Sequence, residues 1–347
     1  MQKARRATVE LCRLFLNNPE AVLSGGKASL QLSISRQGVW KAVQSLRDEG
    51  FSILALPQRG YILKELPAND LSPSLTGASC PPSCSFEGLV YFFSSLSSTQ
   101  ENAKELGRSS SASRLLVLAD EQTRGRGRRD RSWVSPKGQG LFFSVFFRPR
   151  LSPGRLQLVN LAAGLAVRKA VAELHGVSLS LKWPNDLLWG DRKICGILSE
   201  ASSDSEGVRD CTTGIGINIT LPPEGAREEG QIKACALEPL AGTIHRGQLA
   251  AKICTYFLRL AEVLEEDGGT SLLEEYRRSC STLGRQIFIL TEDEAIAGRA
   301  EFIGENGELW ISTDEELRSF YAADVGHATP VNKGHSGEGE LKEPETC

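Results

Sequence analysis

The chain has 347 residues and a formal net charge of −3, so two or three domains are expected and the overall charge indicates no particular class of partner. No apolar run reaches about 18 residues, which argues against a membrane span. The nine cysteines are scattered and odd in number. They favour reduced thiols and a cytoplasmic location over a disulfide framework, and the N-terminus lacks the cleavage site of a signal peptide.

Residues 1–64 are basic, unlike the rest of the chain. They contain ten Lys and Arg against four Asp and Glu, a net charge of +6. Such asymmetry is typical of a segment that binds nucleic acid.

The same residues have the pattern of a winged helix-turn-helix domain. Apolar positions predict a first helix around residues 9–16, a short second helix over 27–32 and a third over 36–48, in which Val39, Trp40, Val43 and Leu46 form the apolar face. Ser35 is the expected N-cap of the third helix, Gly50 its stop, and residues 51–63 read as two strands of a wing. The candidate DNA-binding residues are Arg36, Gln37, Lys41, Gln44 and Arg59. The alternative is a small helical protein-interaction domain with a solvated face.

Residues 65–87 are rich in proline and serine. This composition predicts a linker that lets the parts on either side reorient.

From residue 88 onward the pattern is α+β with a mixed or antiparallel sheet. Strands are predicted over 89–93, 115–119, 141–147, 179–183, 194–198 and 213–221, and helices from 98, over 153–174, 246–264 and 271–279. The Gly-x-Gly-x-x-Gly turn of a doubly wound dinucleotide fold is absent. Ser98 and Glu101 have the spacing of a capping box, so Ser98 and Thr99 either cap a helix or offer hydroxyls to a ligand.

Residues 122–133 read Gln-Thr-Arg-Gly-Arg-Gly-Arg-Arg-Asp-Arg-Ser-Trp. The arginines fit phosphate or carboxylate, and the glycines let the backbone approach a ligand. Because the run follows an apolar strand and ends in Trp133, we interpret it as a ligand loop rather than a solvated basic loop.

Two further stretches place cations and a carboxylate at strand ends: Lys182-Trp183-Pro184-Asn185-Asp186 and Lys193-Ile194-Cys195-Gly196-Ile197-Leu198. With the loop, they supply what adenylation of a carboxylate needs: cations for the triphosphate and an Asp or Asn for Mg²⁺. No Gly-x-x-x-x-Gly-Lys-Ser/Thr motif is present, so the phosphate site is not a P-loop.

These motifs, together with Gly-Ile-Gly-Ile-Asn (214–218) and Ser-Ser-Thr (97–99), resemble the bifunctional biotin protein ligases that are also biotin operon repressors. The resemblance covers residues 5 to about 325. It implies a winged helix over 1–64, a linker over 65–87, a mixed-sheet ligase domain over 88–283, an SH3-like β-barrel over 284–326 and a disordered tail over 327–347.

The resemblance also implies roles for individual residues. The biotin pocket would use Ser98, Thr99, Gln122, Gly125, Arg126, Lys193, Gly196 and Gly214. ATP would contact Arg128, Arg131, Trp133, Lys182, Asn185 and Asn218. Lys193, Arg128 and Asp186 would be catalytic, and Asp186 would bind Mg²⁺.

The chain departs from the family pattern at three places. Asp130 stands where the loop usually has glycine, and Gln100 replaces the usual Asn. Residues 322–325 replace the Gly-Glu-Val of the last strand, and the arginine that normally follows is missing.

The resemblance implies an ATP-dependent biotin–[biotin carboxyl carrier protein] ligase that acts through biotinoyl-5′-AMP, binds operator DNA and dimerises with the adenylate bound. Its substrates would be biotin and MgATP, and the acceptor a lysine of the carrier. Three alternatives remain: a ligase whose winged helix no longer regulates, a biotin sensor that no longer ligates, and a lipoate ligase.

Overall fold

The computed structural model describes the whole chain except residues 4, 83–85, 87, 88, 206, 221–232, 292, 293, 322 and 328–347. The described residues form an N-terminal helical unit with a small hairpin, a central eight-stranded sheet and a C-terminal five-stranded sheet. No described helix combines the length and apolar character that a membrane crossing needs.

The N-terminal unit consists of α1 (Arg6–Asn17), α2 (Gly25–Leu32), α3 (Arg36–Asp48) and the antiparallel strands β2 (Ser52–Leu56) and β3 (Gly60–Glu65). This confirms the predicted helix-turn-helix with a wing. The Ser35 hydroxyl accepts a hydrogen bond from Gly38 N at 3.0 Å, which confirms the N-cap. The wing is held to the α1–α2 connection, because Tyr61 N and O bond Leu23 O and N at 3.0 and 2.7 Å.

The prediction that Trp40 belongs to the apolar face of α3 is wrong. Val39, Val43 and Leu46 are buried, but the Trp40 side chain is 52% exposed. Trp40 follows Val39 by one residue, about 100° around the helix, so both cannot lie at the centre of the same narrow face. Trp40 therefore shares the polar face with Arg36 and Lys41, which are also exposed.

The prediction of a reorienting linker over 65–87 is wrong for the part that the structure describes. Helix α4 (Pro73–Ser79) lies within it, and Leu71, Leu75 and Ala78 are buried. The helix packs against α1 and against α8 (Arg246–Asp267) of the central unit. Apolar residues in the Pro/Ser-rich stretch bury against both neighbours, and this tertiary packing overrides the composition.

The central sheet runs in the order β1-β4-β5-β6-β10-β9-β8-β7. Its strands are β1 (Gln2–Lys3), β4 (Val90–Phe93), β5 (Arg114–Ala119), β6 (Gly140–Phe147), β7 (Ser180–Lys182), β8 (Asp186–Trp189), β9 (Arg192–Asp204) and β10 (Gly207–Asn218). Only β4 and β5 are parallel among these pairs, so the sheet is mixed, as predicted. The short β8 was not predicted, because its four residues carry too little periodicity.

Helices cover both faces of this sheet. They are α5 (Thr99–Arg108), α6 (Leu156–His175), α7 (Glu238–Ala241), α8 (Arg246–Asp267) and α9 (Thr270–Ser279). Ala103 of α5 packs with Leu115 and Val117, whereas Leu116 and Leu118 join the larger core that includes α6 and α8. Alternate residues of β5 thus serve opposite faces, as strand geometry requires.

The C-terminal unit is an antiparallel sheet in the order β14-β13-β12-β11-β15. Its strands are β11 (Gln286–Leu290), β12 (Ala295–Ile303), β13 (Leu309–Ser312), β14 (Leu317–Phe320) and β15 (Asp324–His327). The described strands form an open sheet with two ends rather than a closed barrel. The predicted disordered tail lies outside the described residues except for His327.

The central and C-terminal sheets are joined at the turn that follows β7. The buried Trp183 donates its indole N–H to Gly307 O at 2.9 Å. Its backbone N–H donates to Thr282 Oγ1 at 3.1 Å. These bonds fix the turn that carries Asn185 and Asp186.

Candidate active site

The ligand loop, residues 122–133, leaves the end of β5 and folds back on itself. Trp133 N donates to Gly125 O at 2.9 Å, and Gly127 N donates to Arg131 O at 2.8 Å. A Cβ on Gly125 would lie 2.3 Å from Trp133 O, so no larger residue fits there without moving the backbone. The loop is therefore a closed hairpin that carries Gln122 at one end and Trp133 at the other.

At the Gln122 end, the loop meets the start of α5. Gln122 Oε1 accepts from Thr99 N at 2.9 Å and from Thr99 Oγ1 at 3.1 Å, and Gln122 Nε2 donates to Ser135 Oγ at 2.9 Å. Ser144 Oγ of β6 donates to Thr99 Oγ1 at 2.8 Å. Ser135 and Ser144 were not singled out in the sequence, because a lone serine in a loop or strand carries no signal of its own.

The predicted capping box is not formed. Ser98 makes no side-chain cap bond, and Glu101 instead pairs with the exposed Arg126. The Ser98 hydroxyl is buried and has no hydrogen-bond partner among the described residues. A buried polar group left unsatisfied costs about 1–3 kcal/mol, so this hydroxyl suits a ligand atom.

Gln100 extends below this corner and joins α5 to two strands of the sheet. Its Nε2 lies 2.9 Å from Thr212 O, 3.2 Å from Leu198 O and 2.9 Å from Glu200 Oε2. A Cβ on Gly214 would lie 2.6 Å from Gln100 Oε1, so the longer side chain requires glycine there.

The carboxylate that Gln100 reaches is charged. Burial acts to raise its pKa, but the hydrogen bonds from Lys104 and Gln100 outweigh it and hold the pKa of Glu200 below its usual value. Lys104 Nζ lies 2.7 Å from the Glu200 carboxylate. This corner of the site therefore contains a fixed ion pair.

At the other end of the loop, the Trp133 indole lies on a glycine surface of β9 and β10. A Cβ on Gly196 would lie 2.8 Å from the indole, and one on Gly216 would lie 2.5 Å from Nε1. Lys193 Nζ lies 5.3 Å from the ring centroid, within cation–π range. The indole N–H is buried without a hydrogen-bond partner in the described residues.

Lys193 and Asp186 form an ion pair beside this indole. Their Nζ and Oδ1 atoms are 2.7 Å apart, and both side chains are mostly buried. Cys195 follows on the same strand, and burial raises its pKa well above its ordinary value. The thiol stays protonated, so Cys195 is no nucleophile at neutral pH.

Arg128 reaches across from the loop to this turn. Its Nη1 donates to Asn185 Oδ1 and to Ala323 O, both at 3.2 Å. Asn185 Nδ2 donates to Ile197 O at 2.9 Å, so the amide is fixed between loop and strand. The altered C-terminal segment thus contacts the loop through its backbone, which does not depend on the missing side chain.

Four further residues singled out in the sequence lie around the Lys193–Asp186 pair or in the loop. Lys182 is buried on β7, opposite Asp186 of β8, whereas Arg131 is exposed. Asn218 Nδ2 donates to Cys235 O at 3.3 Å and lies 3.5 Å from Lys193 O, so it fixes the backbone beside Lys193. The side chain of Asp130 lies outside what the structure describes.

No group of three or more His, Cys, Asp or Glu side chains among the described residues could hold a metal ion by itself. Mg²⁺ commonly takes one or two carboxylates and completes its shell with substrate phosphates and water. Asp186 fits that limited role, as a carboxylate oxygen beside a cation-rich surface.

The comparisons with known proteins agree with this geometry. Residues 92–218 match the model of the Biotin/lipoate A/B protein ligase family, and residues 10–62 match that of an HTH domain. The structure titled "Biotin protein ligase from Aquifex aeolicus in complex with biotin and ATP" superposes with a TM-score of 0.59 at 28% identity, covering 69% of this chain and 98% of that one.

Two relatives extend over both units. The Bifunctional ligase/repressor BirA of Escherichia coli (strain K12) is 27% identical over 309 residues, 87% of this chain and 92% of that protein. The Bifunctional ligase/repressor BirA of Bacillus subtilis (strain 168) is 32% identical over 317 residues, 91% of this chain and 97% of that protein. With this identity over nearly the whole length of the relative, the chain belongs to the family of bifunctional ligase/repressors that combine an HTH domain with a biotin/lipoate-type ligase domain.

Proposed function

We propose that the protein is an ATP-dependent biotin–[biotin carboxyl carrier protein] ligase and a biotin-responsive transcriptional repressor. The observation that carries the ligase activity is the single wall that runs from Ser98, Thr99 and Gln122, under the Trp133 indole, to the Lys193–Asp186 pair. Hydrogen-bonding groups lie at one end and charged groups at the other. This matches a ligand with a polar ring system at one end and a carboxylate at the other.

The hydrogen-bonding end would hold the biotin ureido ring. Ser98 Oγ is the unsatisfied group, and Thr99 and Gln122 are already held in place by each other. Gly125, Gly196 and Gly214 would be part of the wall against which biotin lies. A Cβ on any of them would meet Trp133 or Gln100, so glycine at these positions lets those groups of the wall pack closely. Arg126 is exposed at the rim and pairs with Glu101, so it would have to turn away from Glu101 to contact the carboxylate of biotin.

The charged end would bind ATP. Arg128, Arg131, Lys182 and Lys193 would neutralise the phosphates, and Asp186 would give Mg²⁺ one oxygen. Trp133 and Asn218 would lie against adenine, and Asn185 would orient Arg128, to which it is already bonded.

In the first step, a biotin carboxylate oxygen attacks the α-phosphorus of ATP. The new O–P bond forms biotinoyl-5′-AMP as the bond to pyrophosphate breaks, and pyrophosphate leaves with the electron pair. Lys193 stabilises the charge that grows on the α-phosphate, a role that preorganised cations fill well in a site shielded from water.

In the second step, the neutral amine of a carrier lysine attacks the acyl carbon of the mixed anhydride. An amide bond forms, AMP leaves with the electron pair of the broken C–O bond, and the amine loses a proton. Asp186 is the group we assign to accept that proton, because its carboxylate already holds an ammonium group, that of Lys193, at 2.7 Å.

Biotin-dependent release of pyrophosphate from ATP tests the adenylation step directly. The protein should release pyrophosphate with biotin and show little release with lipoate at the same concentration. Preferred release with lipoate would replace the biotin assignment with lipoate ligation, and release with neither would favour the biotin sensor that no longer ligates.

The loop should also retain the reactive intermediate. Arg128 ties the loop to Asn185 and to Ala323 O, so Arg128→Gly removes both bonds and should let biotinoyl-5′-AMP escape. With ATP, biotin, the carrier and serum albumin present, the variant should biotinylate albumin lysines several-fold faster than the wild type. Arg114→Gly, which breaks a partly exposed ion pair with Glu262, is the matched control. Labelling confined to the carrier in the Arg128 variant would show that the loop does not retain the adenylate.

Repression would use the exposed face of α3. Arg36, Gln37, Lys41 and Gln44 lie on that face and would enter the major groove, while the exposed Arg59 at the wing tip would contact a phosphate. Trp40 is an addition from the structure: its half-exposed ring lies among these cations, where its edge suits a thymine methyl group. The protein would bind its operator as a homodimer, because paired half-sites give the affinity that one winged helix lacks.

Domain limits and location are part of the proposal. The winged helix would span 1–64, the ligase domain 88–283, and the five-stranded sheet over 284–326 would be the family's SH3-like unit, which holds the loop through Ala323 O. A cytoplasmic location fits the seven free cysteines of the described residues.

A further inference from the structure

Arg246, the first residue of α8, joins three separate segments of the chain. Its Nη1 donates to Asp120 Oδ1 at 2.7 Å and to Gly140 O at 3.2 Å. Its Nε and Nη2 donate to Asp70 Oδ1 at 3.0 and 2.8 Å. The Arg246 side chain is only 13% exposed, so these bonds are largely shielded from water.

Asp120 and Gly140 are the two ends of the segment that carries the ligand loop. Asp120 follows β5 directly, and Gly140 begins β6. Asp120 O also accepts from Gly138 N at 3.3 Å. One guanidinium therefore fixes both ends of residues 121–139, which include Gln122 and Trp133.

Asp70 lies outside the ligase domain, in the connector, as we call the described residues of 65–87 between the winged helix and the central sheet. Its carboxylate also accepts from Arg246 N at 2.8 Å, and its carbonyl accepts from Gly247 N at 3.2 Å. A Cβ on Gly247 would lie 2.2 Å from Asp70 O, so glycine is needed for this approach. The connector is thus bound to α8 by side chain and backbone together.

The connector is also hydrogen-bonded to the C-terminal end of α3. Glu49, the C-cap residue directly after α3, accepts from Ser72 Oγ at 2.5 Å, from Ser74 N at 2.9 Å and from Ser74 Oγ at 2.6 Å. Ser72 is in turn the N-cap of α4. A short series of bonds therefore connects α3 with the ligand loop. Glu49 bonds Ser72, which lies two residues from Asp70 in the chain. Asp70 bonds Arg246, and Arg246 bonds Asp120 at the start of the loop segment.

We propose that Arg246 is a positioning residue for the ligand loop and that Asp70 makes this positioning depend on the placement of the winged helix. When the bound adenylate restricts the motion of the loop, the bonds of Asp120, Arg246, Asp70 and Glu49 would restrict the position of α3 as well. The same bonds carry the effect in reverse, since a coupling between two binding sites is reciprocal. This inference rests on the proposed function and names the groups that would link its two activities.

Two substitutions test the two contacts of Arg246 separately, the one with Asp120 and the one with Asp70. Asp120→Asn weakens the bond to the loop, and Asp70→Asn weakens the bond to the connector while Arg246–Asp120 remains. Lys252→Gln is the matched control, because it removes a cation of the same helix that pairs with Glu173 on the outer surface at 2.6 Å. Thermal unfolding of all four full-length proteins reports whether each variant is folded.

The first readout is hydrogen exchange of the full chain without ligand. Asp120→Asn should raise amide exchange across residues 122–138 by about tenfold or more, and Asp70→Asn should raise it both there and in residues 69–76. Lys252→Gln should leave both segments at wild-type rates. Loop exchange that stays at the wild-type rate in both Asp variants overturns the proposal, whether or not the protein is a ligase.

The second readout separates positioning from chemistry. In biotin-dependent pyrophosphate release, Asp120→Asn should raise KM for biotin by about tenfold while kcat changes less than threefold, because a displaced loop weakens the contacts of Gln122 and Trp133 that bind the substrate equally in the ground state and the transition state. Asp120→Glu, which keeps the charge, should recover most of the loss. A fall in kcat at constant KM contradicts the positioning role.

The third readout is the link itself. A duplex selected from a random library by the wild-type protein with biotin and ATP serves as the DNA probe. The wild-type affinity for this duplex should rise with biotin and ATP, and Asp70→Asn should lose most of that rise, a reduction of about fivefold or more. An unchanged rise in Asp70→Asn overturns the link between loop and winged helix. A wild-type protein that selects no duplex refutes the repressor function and with it this link, while the positioning of the loop is still decided by the first two readouts.

Discussion

Replacing Lys193 with alanine is expected to slow formation of biotinoyl-5′-AMP by about 100-fold or more, the usual effect of removing one preorganised charge donor. The ammonium group is held 2.7 Å from the Asp186 carboxylate and faces the Trp133 ring. It is therefore fixed before the substrates bind and need not reorganise when charge builds on the α-phosphate. The measurement is single-turnover release of pyrophosphate with saturating biotin and ATP.

The control for this variant is Lys137→Ala, which removes an exposed lysine from the segment between the loop and β6. It should release pyrophosphate at the wild-type rate. If Lys193→Ala also released pyrophosphate at that rate, Lys193 would not stabilise the transition state, and the Lys193–Asp186 pair would be structural only.

The second large effect concerns DNA. Changing both Arg36 and Lys41 to alanine should abolish detectable operator binding, because these exposed cations lie on the face of α3 opposite its buried side chains. For any residual binding, the slope of log affinity against log salt concentration should be smaller by about two, because two phosphate contacts are lost. Ligation should stay at the wild-type rate, since both residues belong to the winged helix and neither is assigned to the biotin or ATP site.

The double variant Arg209→Ala and Arg278→Ala changes the net charge equally at two exposed positions outside the winged helix. It should bind operator like the wild type in a mobility-shift titration. Binding should rise with biotin and ATP in both wild type and control. Equal affinity with and without the ligands would support the reading in which the winged helix no longer responds to biotin.

The sequence predicts most of the fold where the periodicity is long and unambiguous. The three N-terminal helices, the wing and the apolar strands of the central sheet are confirmed, and Ser35 caps α3 as expected. The helical spacing wrongly predicts that Trp40 lies on the apolar face of α3, because its side chain faces solvent. Trp combines an apolar ring with a polar N–H group and is enriched at binding interfaces, so an exposed Trp on a polar helix face suits contact with a partner.

The connector was mispredicted for a different reason. Proline and serine indicate a flexible chain only when nothing apolar between them is buried, and Leu71 and Leu75 are fully or nearly fully buried. Pro73 is at the start of α4, where proline is well tolerated, and Ser72 caps that helix. The same residues that suggested a linker are therefore helix-start signals in a segment that packs against two neighbours.

The sequence motifs identify the candidate site residues, but they do not identify the residues that hold these in position. Gln122, Trp133, Lys193 and Asp186 lie in recognisable stretches, and the structure brings them to one wall. Arg246 could not be found in this way, because its three partners are separated from it by 176, 126 and 106 residues. Only the folded chain shows that one side chain holds both ends of the loop.

The most direct test of the central claim is the intact mass of a purified biotin carboxyl carrier domain after incubation with the protein, biotin and ATP. The carrier is expected to gain the mass of one biotinoyl group on a single lysine, and omission of either biotin or ATP should prevent the gain. AMP and pyrophosphate should be released in equal amounts. An unchanged carrier mass with both substrates present, under conditions in which another biotin protein ligase modifies the same carrier, would contradict the ligase function.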